Sequence, residues 1–396
     1  MSNDDIVICS PVRTAIGTFN GSLRDHSAVD LGAAAIKEAI SRAALSPAII
    51  GSVIMGNVVQ AGNKMNPARQ AAVNAALPVS VPAFTVNRVC GSGAQAVISA
   101  ALEIQAGLTD IAVAGGMENM DRAPYLLPSG RWGNRLGTAP MYDSMLSDGL
   151  EDAFSGKHSG WHTEDLVSRL GIPREAQDEW AARSQSRFAQ AQEAGAFVDE
   201  VVPLTLAGKK GDTVFDKDEA PRPETNVSVL SKLRPAFRPE GTITAGNAPG
   251  LNSGASAMLI TKLSQARSLG LSASARIAGV GIAAVEPAMF GLGPVPAIGN
   301  ALAHAGWTLS DLQRVEINEA YAVVPLAVMA ETGLSHNIVN VDGGAIAHGH
   351  PIGATGAVLL TRLIHSMKRD GLRKGLVTLC IGGGQGIAIA IELTSN

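Results

Sequence analysis

The chain is poor in aromatic residues and in charge: aromatic side chains make up 4% of its 396 residues and charged ones 17%. Its net charge of −4 comes from 31 basic and 35 acidic residues, so nothing favours nucleic acid or an anionic membrane surface as a partner. No apolar run reaches the length that spans a bilayer. Apolar residues still make up 46%, which predicts a globular chain with about two or three domains rather than a disordered one.

Cysteine is also scarce, with only Cys9, Cys90 and Cys380 in the chain. A small, odd number argues against a disulfide scaffold and predicts a reducing compartment. Neither a CxxC pair nor an HExxH motif occurs, so we predict no metal site. The first five residues are acidic and neither they nor the last four resemble a targeting signal, so we expect a cytoplasmic protein.

Strands and helices alternate along residues 1–119 and again from about residue 248, which predicts an α/β fold with mixed, mostly parallel sheets covered on both faces. The first strand is predicted over 6–10, with a loop from residue 13. Residues 120–247 have a different character, because proline, glycine and charge cluster there around one long helix predicted over 173–194. We predict that this segment is an inserted lid or binding lobe.

The two ends of the chain repeat one pattern. Cys90 opens a glycine-rich turn followed by a helix and a strand that ends in glycines, and His350 opens a second such series. This repetition predicts a duplicated α/β unit whose strand ends converge on one crevice. The predicted domains are 1–119 together with 248–270, the inserted loop domain 120–247, and 271–396.

Three glycine-rich turns carry side chains suited to acyl transfer through a thioester. Cys90 lies where a strand turns into a helix, whose positive end is predicted to lower the pKa of the thiol. His350, made rigid by the following proline, has an imidazole that can take a thiol proton. Cys380 ends a strand, and Gly382 beyond it can offer a backbone N–H to an oxyanion.

Each of these residues, taken alone, also fits a structural role. Cys90 and Cys380 equally suit buried core positions, and His350 suits a hydrogen-bonded loop histidine. Asn318 ends a predicted strand, where its amide can orient a water molecule or cap the following helix. A partial GxGxxG match that begins at Gly279 lacks its third glycine, so a dinucleotide site has little support.

Four motifs, in order along the chain, resemble those of the thiolase family. They are residues 87–93 (NRVCGSG), 318–321 (NEAY), 343–353 (GGAIAHGHPIG) and 380–386 (CIGGGQG). The resemblance covers nearly the whole chain and implies a thiolase-like fold, with two duplicated βαβαβαββ-type domains and an inserted loop domain. It implies an acetyl-CoA C-acetyltransferase, which interconverts two acyl-CoA molecules with 3-ketoacyl-CoA and CoA by a ping-pong mechanism.

The resemblance also implies a role for each candidate. Cys90 is expected to be the nucleophile that becomes acylated, and His350 to take its proton. Cys380 is expected to act as acid and base at the α-carbon of the second acyl group. One oxyanion hole is expected to use His350 and a water held by Asn318, and the other the backbone N–H groups of Cys90 and Gly382.

By the same resemblance, the inserted lobe is expected to hold CoA, which is a substrate; no permanently bound cofactor is expected. His158 matches a family position near the pantetheine and acyl group, and Arg222 one near the adenine. Ser231 opens a segment that matches the part of the family fold closing over CoA. Family members form homodimers or homotetramers, and the sequence does not choose between them.

Three positions depart from the family pattern. Pro249 stands where relatives usually carry a serine that contacts CoA, and Tyr321 replaces a usual phenylalanine. Phe290 occupies a position beside the acyl group where many members have methionine. These departures leave open a 3-ketoacyl-CoA thiolase for longer or branched chains. A non-catalytic CoA-binding protein is a further alternative. A β-ketoacyl synthase is disfavoured, because such enzymes typically pair cysteine with two histidines.

Overall fold

The structure is a computed structural model that describes residues 2–208 and 211–394, so positions 1, 209–210 and 395–396 of the predicted domains lie outside the described residues. The strands are β1 (Ile6–Thr14), β2 (Gly17–Thr18), β3 (Ser52–Gly56), β4 (Ala83–Val86), β5 (Ile111–Asn119), β6 (Tyr125–Leu126), β7 (Tyr142–Asp143), β8 (Glu151–Asp152), β9 (Lys157–His158), β10 (Val201–Val202), β11 (Leu204–Leu206), β12 (Thr213–Phe215), β13 (Asn252–Lys262), β14 (Ala273–Ala284), β15 (Arg314–Ile317), β16 (Lys374–Ile381) and β17 (Gln385–Leu393). The helices are α1 (Ala28–Arg42), α2 (Pro67–Asn74), α3 (Ser92–Gln105), α4 (Ser159–Leu170), α5 (Arg174–Glu193), α6 (Val227–Leu230), α7 (Leu263–Ser268), α8 (Pro294–Ala305), α9 (Val323–Thr332), α10 (Ala345–His348) and α11 (Thr355–Arg369).

One large mixed sheet runs through the protein in the order β15-β16-β17-β14-β1-β13-β5-β3-β4, with β10 and β2 joined to its side. The pairs near its two ends, β15 with β16 and β3 with both β4 and β5, are parallel. The central pairs are antiparallel, including β1 with β14, where the two halves of the sheet meet. The α/β fold with a mixed sheet that the sequence predicts is therefore confirmed.

The two halves of this sheet share an order of four strands, β3-β5-β13-β1 and β15-β16-β17-β14, while β4 has no counterpart among the described strands. In the first half, β5 lies between the parallel strand β3 and the antiparallel strand β13. In the second half, β16 lies in the same way between β15 and β17. The repeated order supports the predicted duplication, while the domain boundaries drawn from the sequence remain a prediction.

Helices α3 and α11 occupy equivalent places in the two halves and pack against each other at their first turns. A Cβ atom built on Gly93 would lie 2.7 Å from the backbone nitrogen of Ala357, and one on Gly356 would meet the backbone nitrogen of Ala94. Only glycine permits so close an approach of two backbones. Because the Cys90 and His350 turns lead into these helices, this contact brings both turns to one place.

The predicted first strand is too short, because β1 continues through Arg13 and Thr14 where the sequence indicates a loop. Arg13 is fully buried, and its guanidinium pairs with Glu200 at 2.8 Å and Asp218 at 2.7 Å. A paired charge of this kind is tolerated inside a fold, although a sequence pattern marks it as exposed. The two carboxylates also tie the inserted segment to the sheet.

The inserted segment contains the predicted long helix, here α5, which is confirmed. The side chains of Trp180 and Ser184 on α5 donate hydrogen bonds of 2.9 and 2.8 Å to the carboxylate of Glu319. Glu319 follows β15, so these bonds hold the lobe over the carboxyl end of that strand. None of the described helices is long and apolar enough to cross a bilayer.

Candidate active site

Cys90 lies in a tight turn between β4 and α3. The preceding residue, Val89, has a φ of +45°, which is unfavourable for a β-branched side chain and marks local strain. Neighbouring side chains hold this turn: Asn87 accepts a 2.9 Å hydrogen bond from the Val89 N–H, and the Ser92 hydroxyl donates at 2.6 Å to the Val89 carbonyl. The strained backbone is thus fixed next to the candidate nucleophile.

Burial raises the pKa of the Cys90 thiol to about 11, although backbone N–H groups of Gly382 and of Cys90 itself act to lower it. The nearby carboxyl of Glu118 raises it further. The expectation that the helix end would lower this pKa is therefore wrong, because desolvation outweighs the backbone donors. At neutral pH the resting sulfur is a thiol and needs a base before it can attack.

His350 is nearly buried, and burial lowers its pKa to about 4, so the imidazole is neutral at neutral pH. Its Nδ1 lies 2.6 Å from the hydroxyl of Thr355, and that hydroxyl donates its hydrogen to the Pro351 carbonyl at 2.8 Å. Nδ1 must therefore carry the proton and donate to Thr355. Nε2 then carries the lone pair, which faces the Asn318 amide N–H across a long contact of 3.4 Å, and this neutral tautomer is the form that a general base requires.

Asn318 and Cys380 lie just behind the surface of the site. The amide nitrogen of Asn318 lies 3.4 Å from Nε2 of His350, while its buried Oδ1 has no hydrogen-bond partner within the described ranges. Cys380 is fully buried at the end of β16. Burial, and then the neighbouring Cys90 thiol, raise the pKa of Cys380 well above its ordinary value.

A cavity of about 400 Å³ opens over these groups. Of the residues predicted from the sequence, seven line it: Cys90, His158, Pro249, Phe290, Tyr321, His350 and Gly382. Segments of the inserted lobe form much of the opposite wall, including residues 147–154. The three glycine-rich turns and the lobe therefore share one cavity, whose volume is in the range of sites for small-molecule ligands.

The lobe wall is organised around Phe237. Its ring stacks on His158 with 4.6 Å between centroids and meets Tyr321 edge-on at 6.0 Å. The Tyr321 hydroxyl lies 2.8 Å from that of Ser159, the first residue of α4. Burial lowers the pKa of His158, so this imidazole is also neutral at neutral pH.

Two predicted CoA contacts lie away from the cavity wall. Arg222 and Ser231 are both exposed, and neither lines the cavity. The backbone N–H of Arg222 donates at 2.8 Å to Gln185 on α5, which anchors this loop while leaving the guanidinium in solvent. Their predicted contacts with the adenine end of CoA remain a prediction.

Sequence reasoning missed Glu118, a fully buried carboxyl at the end of β5. It accepts hydrogen bonds from the backbone N–H groups of Val58, Val59 and Gly353 and from the side chain of Asn57. Burial outweighs these donors and raises its pKa to about 7. Glu118 thus joins the His350 turn to the first half of the protein. In the sequence, the feature that could have identified Glu118 is its position near a strand end, shortly after Gly115 and Gly116.

Thr355 and Ser159 were also missed. Thr355 determines which nitrogen of His350 carries the proton, but in the sequence it is simply the first residue of a helix. Ser159 acts through Tyr321, which lies 162 positions away along the chain. No local pattern connects such distant partners.

Comparisons with known proteins agree with this geometry. Two family models match the chain, the N-terminal domain of thiolase over residues 6–264 and its C-terminal domain over residues 271–393. The acetyl-CoA acetyltransferase of Escherichia coli K12 is 51% identical over 387 residues, which is 98% of each chain. That of Pseudomonas aeruginosa is 49% identical over 388 residues, covering 98% of this chain and 99% of its own.

Solved structures show the same likeness. The Bacillus anthracis acetyl-CoA acetyltransferase is 42% identical and superposes with a TM-score of 0.97, covering 99% of this chain and 100% of that one. The human mitochondrial 3-ketoacyl-CoA thiolase is 38% identical with a TM-score of 0.96 and the same coverage. The chain therefore belongs to the thiolase family. It is an acyltransferase with the thiolase fold, as the sequence predicts.

Proposed function

We propose that this enzyme is an acetyl-CoA C-acetyltransferase, which cleaves acetoacetyl-CoA with CoA into two acetyl-CoA molecules and also catalyses the reverse condensation. The observation that carries the proposal is the single cavity lined by Cys90, His350 and Gly382, with Cys380 directly behind it. The names of relatives that are 49–51% identical over nearly the whole chain support the same activity.

In the first half of the reaction, the Cys90 thiol gives its proton to Nε2 of His350, and the sulfur attacks the keto carbon of the substrate. The neutral imidazole with its proton on Nδ1 supports this role for His350. The backbone N–H groups of Gly382 and Cys90, which already point toward the Cys90 sulfur, would stabilise the oxyanion that forms there.

Breaking the carbon–carbon bond then leaves an enolate of acetyl-CoA. Cys380 would give this enolate its proton, and its raised pKa supports that role because the group is a thiol at rest. His350 and a water held by Asn318 would stabilise the enolate oxygen. The buried and unpaired Oδ1 of Asn318 is an acceptor suited to holding that water.

A CoA thiol finally takes the acyl group from Cys90, so CoA and acyl-CoA are substrates and no permanently bound cofactor is needed. The pantetheine arm would pass between His158 and Pro249, both of which line the cavity. Since proline has no hydroxyl, the hydrogen bond made by a serine at position 249 in relatives would be missing here. Arg222 and Ser231 would contact the adenine end, outside the cavity.

Phe290 favours a short acyl group. Its ring is buried and lines the cavity, where it fills space with a stiffer side chain than methionine. The alternative, a thiolase for longer or branched chains, has support from the 38% identity with the human mitochondrial 3-ketoacyl-CoA thiolase. Rates across a series of acyl lengths separate the two functions.

We also propose that the enzyme works in the cytoplasm as a homodimer or homotetramer. Strand β4 ends the large sheet and pairs only with β3 among the described strands, so one edge is available to a second copy. The apolar side chain of Phe84, on this strand, is exposed. A second copy would remove it from water.

The function is tested by mixing the protein with acetoacetyl-CoA and CoA and following the absorbance of the 3-ketoacyl group. Loss of absorbance with formation of acetyl-CoA is expected. If no 3-ketoacyl-CoA of any chain length is cleaved, the result favours the alternative of a non-catalytic CoA-binding protein.

A further inference from the structure

The hydroxyls of Tyr321 and Ser159 form a polar pair in the wall of the cavity. Their oxygens lie 2.8 Å apart, and either can be the donor. Both residues line the cavity, and Tyr321 is only 6% exposed. Burial, and then the nearby thiols of Cys380 and Cys90, raise the pKa of the Tyr321 phenol, so the pair lies close to both sulfurs and stays protonated.

Two hydroxyls supply two hydrogens, and the bond between them uses one. Within residues 2–208 and 211–394, neither hydroxyl has another hydrogen-bond partner. Whichever oxygen donates within the pair, one O–H therefore remains for a group inside the cavity. This remaining donor belongs to the pair as a whole and can come from either residue.

The surroundings of the pair make this donor selective. Phe237 meets the Tyr321 ring edge-on, and Phe237 and Phe290 both line the cavity, so the hydroxyls share this cavity with aromatic surface. A hydrogen-bond donor covered by an apolar ligand loses its contact with water and gains nothing in exchange. A site that holds such a donor discriminates against ligands that cannot accept a hydrogen bond.

We propose that the Tyr321–Ser159 pair binds an oxygen on the acyl chain, so that the enzyme prefers hydroxylated short acyl groups to alkyl groups of the same size. This inference rests on the proposed thiolase activity and defines its substrate class. The oxygen that is recognised lies beyond the carbonyl that reacts with Cys90. The oxyanion holes proposed above serve that carbonyl and are separate from this pair.

The matched substrates are 4-hydroxy-3-ketobutanoyl-CoA and 3-ketopentanoyl-CoA, which differ only by a hydroxyl in place of a methyl group. With the first, Cys90 sulfur bonds to C3 and the C2–C3 bond breaks. The electron pair stays on C2, which takes a proton and leaves as acetyl-CoA. A CoA thiol then displaces the hydroxyacetyl group from Cys90, so the products are acetyl-CoA and hydroxyacetyl-CoA.

The test compares kcat/KM for these two substrates on the full-length enzyme. The wild-type ratio is expected to favour the hydroxylated substrate by about tenfold. Tyr321→Phe and Ser159→Ala each leave one hydroxyl facing the cavity, so each single variant should keep a ratio above one. The double variant has no donor, and its ratio should fall to about one. Tyr125→Phe, which removes a hydroxyl from an exposed tyrosine outside the cavity, should keep the wild-type ratio.

A wild-type ratio at or below one would overturn the proposal, and so would a double variant that keeps the wild-type ratio. Because each ratio compares two substrates on one protein sample, a partly unfolded variant does not bias it. Cleavage of acetoacetyl-CoA and 3-ketopentanoyl-CoA, with no preference for 4-hydroxy-3-ketobutanoyl-CoA over 3-ketopentanoyl-CoA, would reject this inference alone. Failure to cleave any of the three by the wild type would reject the proposed function itself.

Discussion

At the scale of single residues, the Cys90 thiol and the His350 imidazole are both neutral in the resting site. Burial raises the pKa of Cys90 to about 11 and lowers that of His350 to about 4, so thiol and imidazole carry no charge between these values. The proton therefore moves from the Cys90 sulfur to Nε2 of His350 only after the substrate has bound. This arrangement differs from a preformed thiolate–imidazolium pair.

Alkylation by iodoacetamide tests the neutral state of Cys90. Because only the thiolate reacts, the rate should rise about tenfold per pH unit through neutral pH and show no plateau below about pH 10. Mass spectrometry should place the label on Cys90, since Cys9 and Cys380 are fully buried, and Cys90→Ala should remain unlabelled. A rate already constant near neutral pH would show that the thiolate exists at rest.

Replacing the two active-site cysteines one at a time should have two different effects. Cys90→Ala should form no acyl-enzyme with acetyl-CoA, because the nucleophile is gone. Cys380→Ala should still become acylated but should fail to exchange the α-protons of acetyl-CoA with deuterated water. Protein mass spectrometry and proton NMR give the two readouts. Normal proton exchange in Cys380→Ala would reject the acid–base role of that thiol.

Thr355 should act by positioning His350. Thr355→Val keeps the shape of the side chain but removes the acceptor for Nδ1–H, so the ring can turn and Nε2 loses its direction. We expect the rate of Cys90 acylation to fall by about 100-fold, as for other misplaced catalytic groups. Thr355→Ser restores the hydroxyl and should recover most of the rate; equal loss in both variants would indicate a packing defect instead.

At the scale of elements, the close crossing of α3 and α11 sets the distance between the Cys90 and His350 turns. The crossing depends on Gly93 and Gly356, because a methyl group at either position would run into the backbone of the other helix. Glu118 reinforces it by accepting hydrogen bonds from both the Gly353 N–H and the loop after β3.

Gly356→Ala should therefore force the two helices apart and lower the free energy of unfolding by about 2 kcal/mol. Gly299→Ala is the matched control, since a methyl group on this α8 residue meets no atom within 4 Å. There, alanine should stabilise the helix by about 0.5–1 kcal/mol. Urea denaturation of both variants measures the difference. Equal stabilities would mean that the crossing adjusts freely to an added methyl group.

At the scale of the whole molecule, self-association is supported by strand β4, which pairs only with β3 among the described strands and exposes Phe84. Light scattering should give a mass of two or four chains. Phe84, 39% exposed on β4, would lie close to its own copy if two such edges met around a two-fold axis. Phe84→Asp should then raise the dissociation constant at least about tenfold, because like charges meet at the interface.

Val214→Asp places the same charge on an exposed side chain of the small β11–β12 hairpin, which forms a two-stranded sheet of its own and does not pair with β4, and should leave the mass unchanged. A wild-type protein that stays monomeric would contradict the proposed assembly. If both variants dissociated equally, the added charge would weaken the assembly wherever it is placed, and the β4 edge would not be the interface.

The sequence predicts the alternating strands and helices and the repeated halves. It also identifies the three glycine-rich turns that carry Cys90, His350 and Cys380. The glycine-flanked positions of Cys90, His350 and Gly382 predict one shared crevice, and the structure lines one cavity with all three. These features depend on local backbone preferences and on strand ends meeting at one sheet edge, and a sequence records both directly.

Other properties were decided only by the tertiary structure. The raised pKa of Cys90, the buried pairing of Arg13 and the hydrogen bond between Ser159 and Tyr321 each arise from groups distant in sequence. Desolvation depends on everything that surrounds a group, and a long-range hydrogen bond depends on two segments meeting at one distance. The sequence alone therefore determined which chemical groups the site contains, and the packed fold decided their charge, their orientation and their partners.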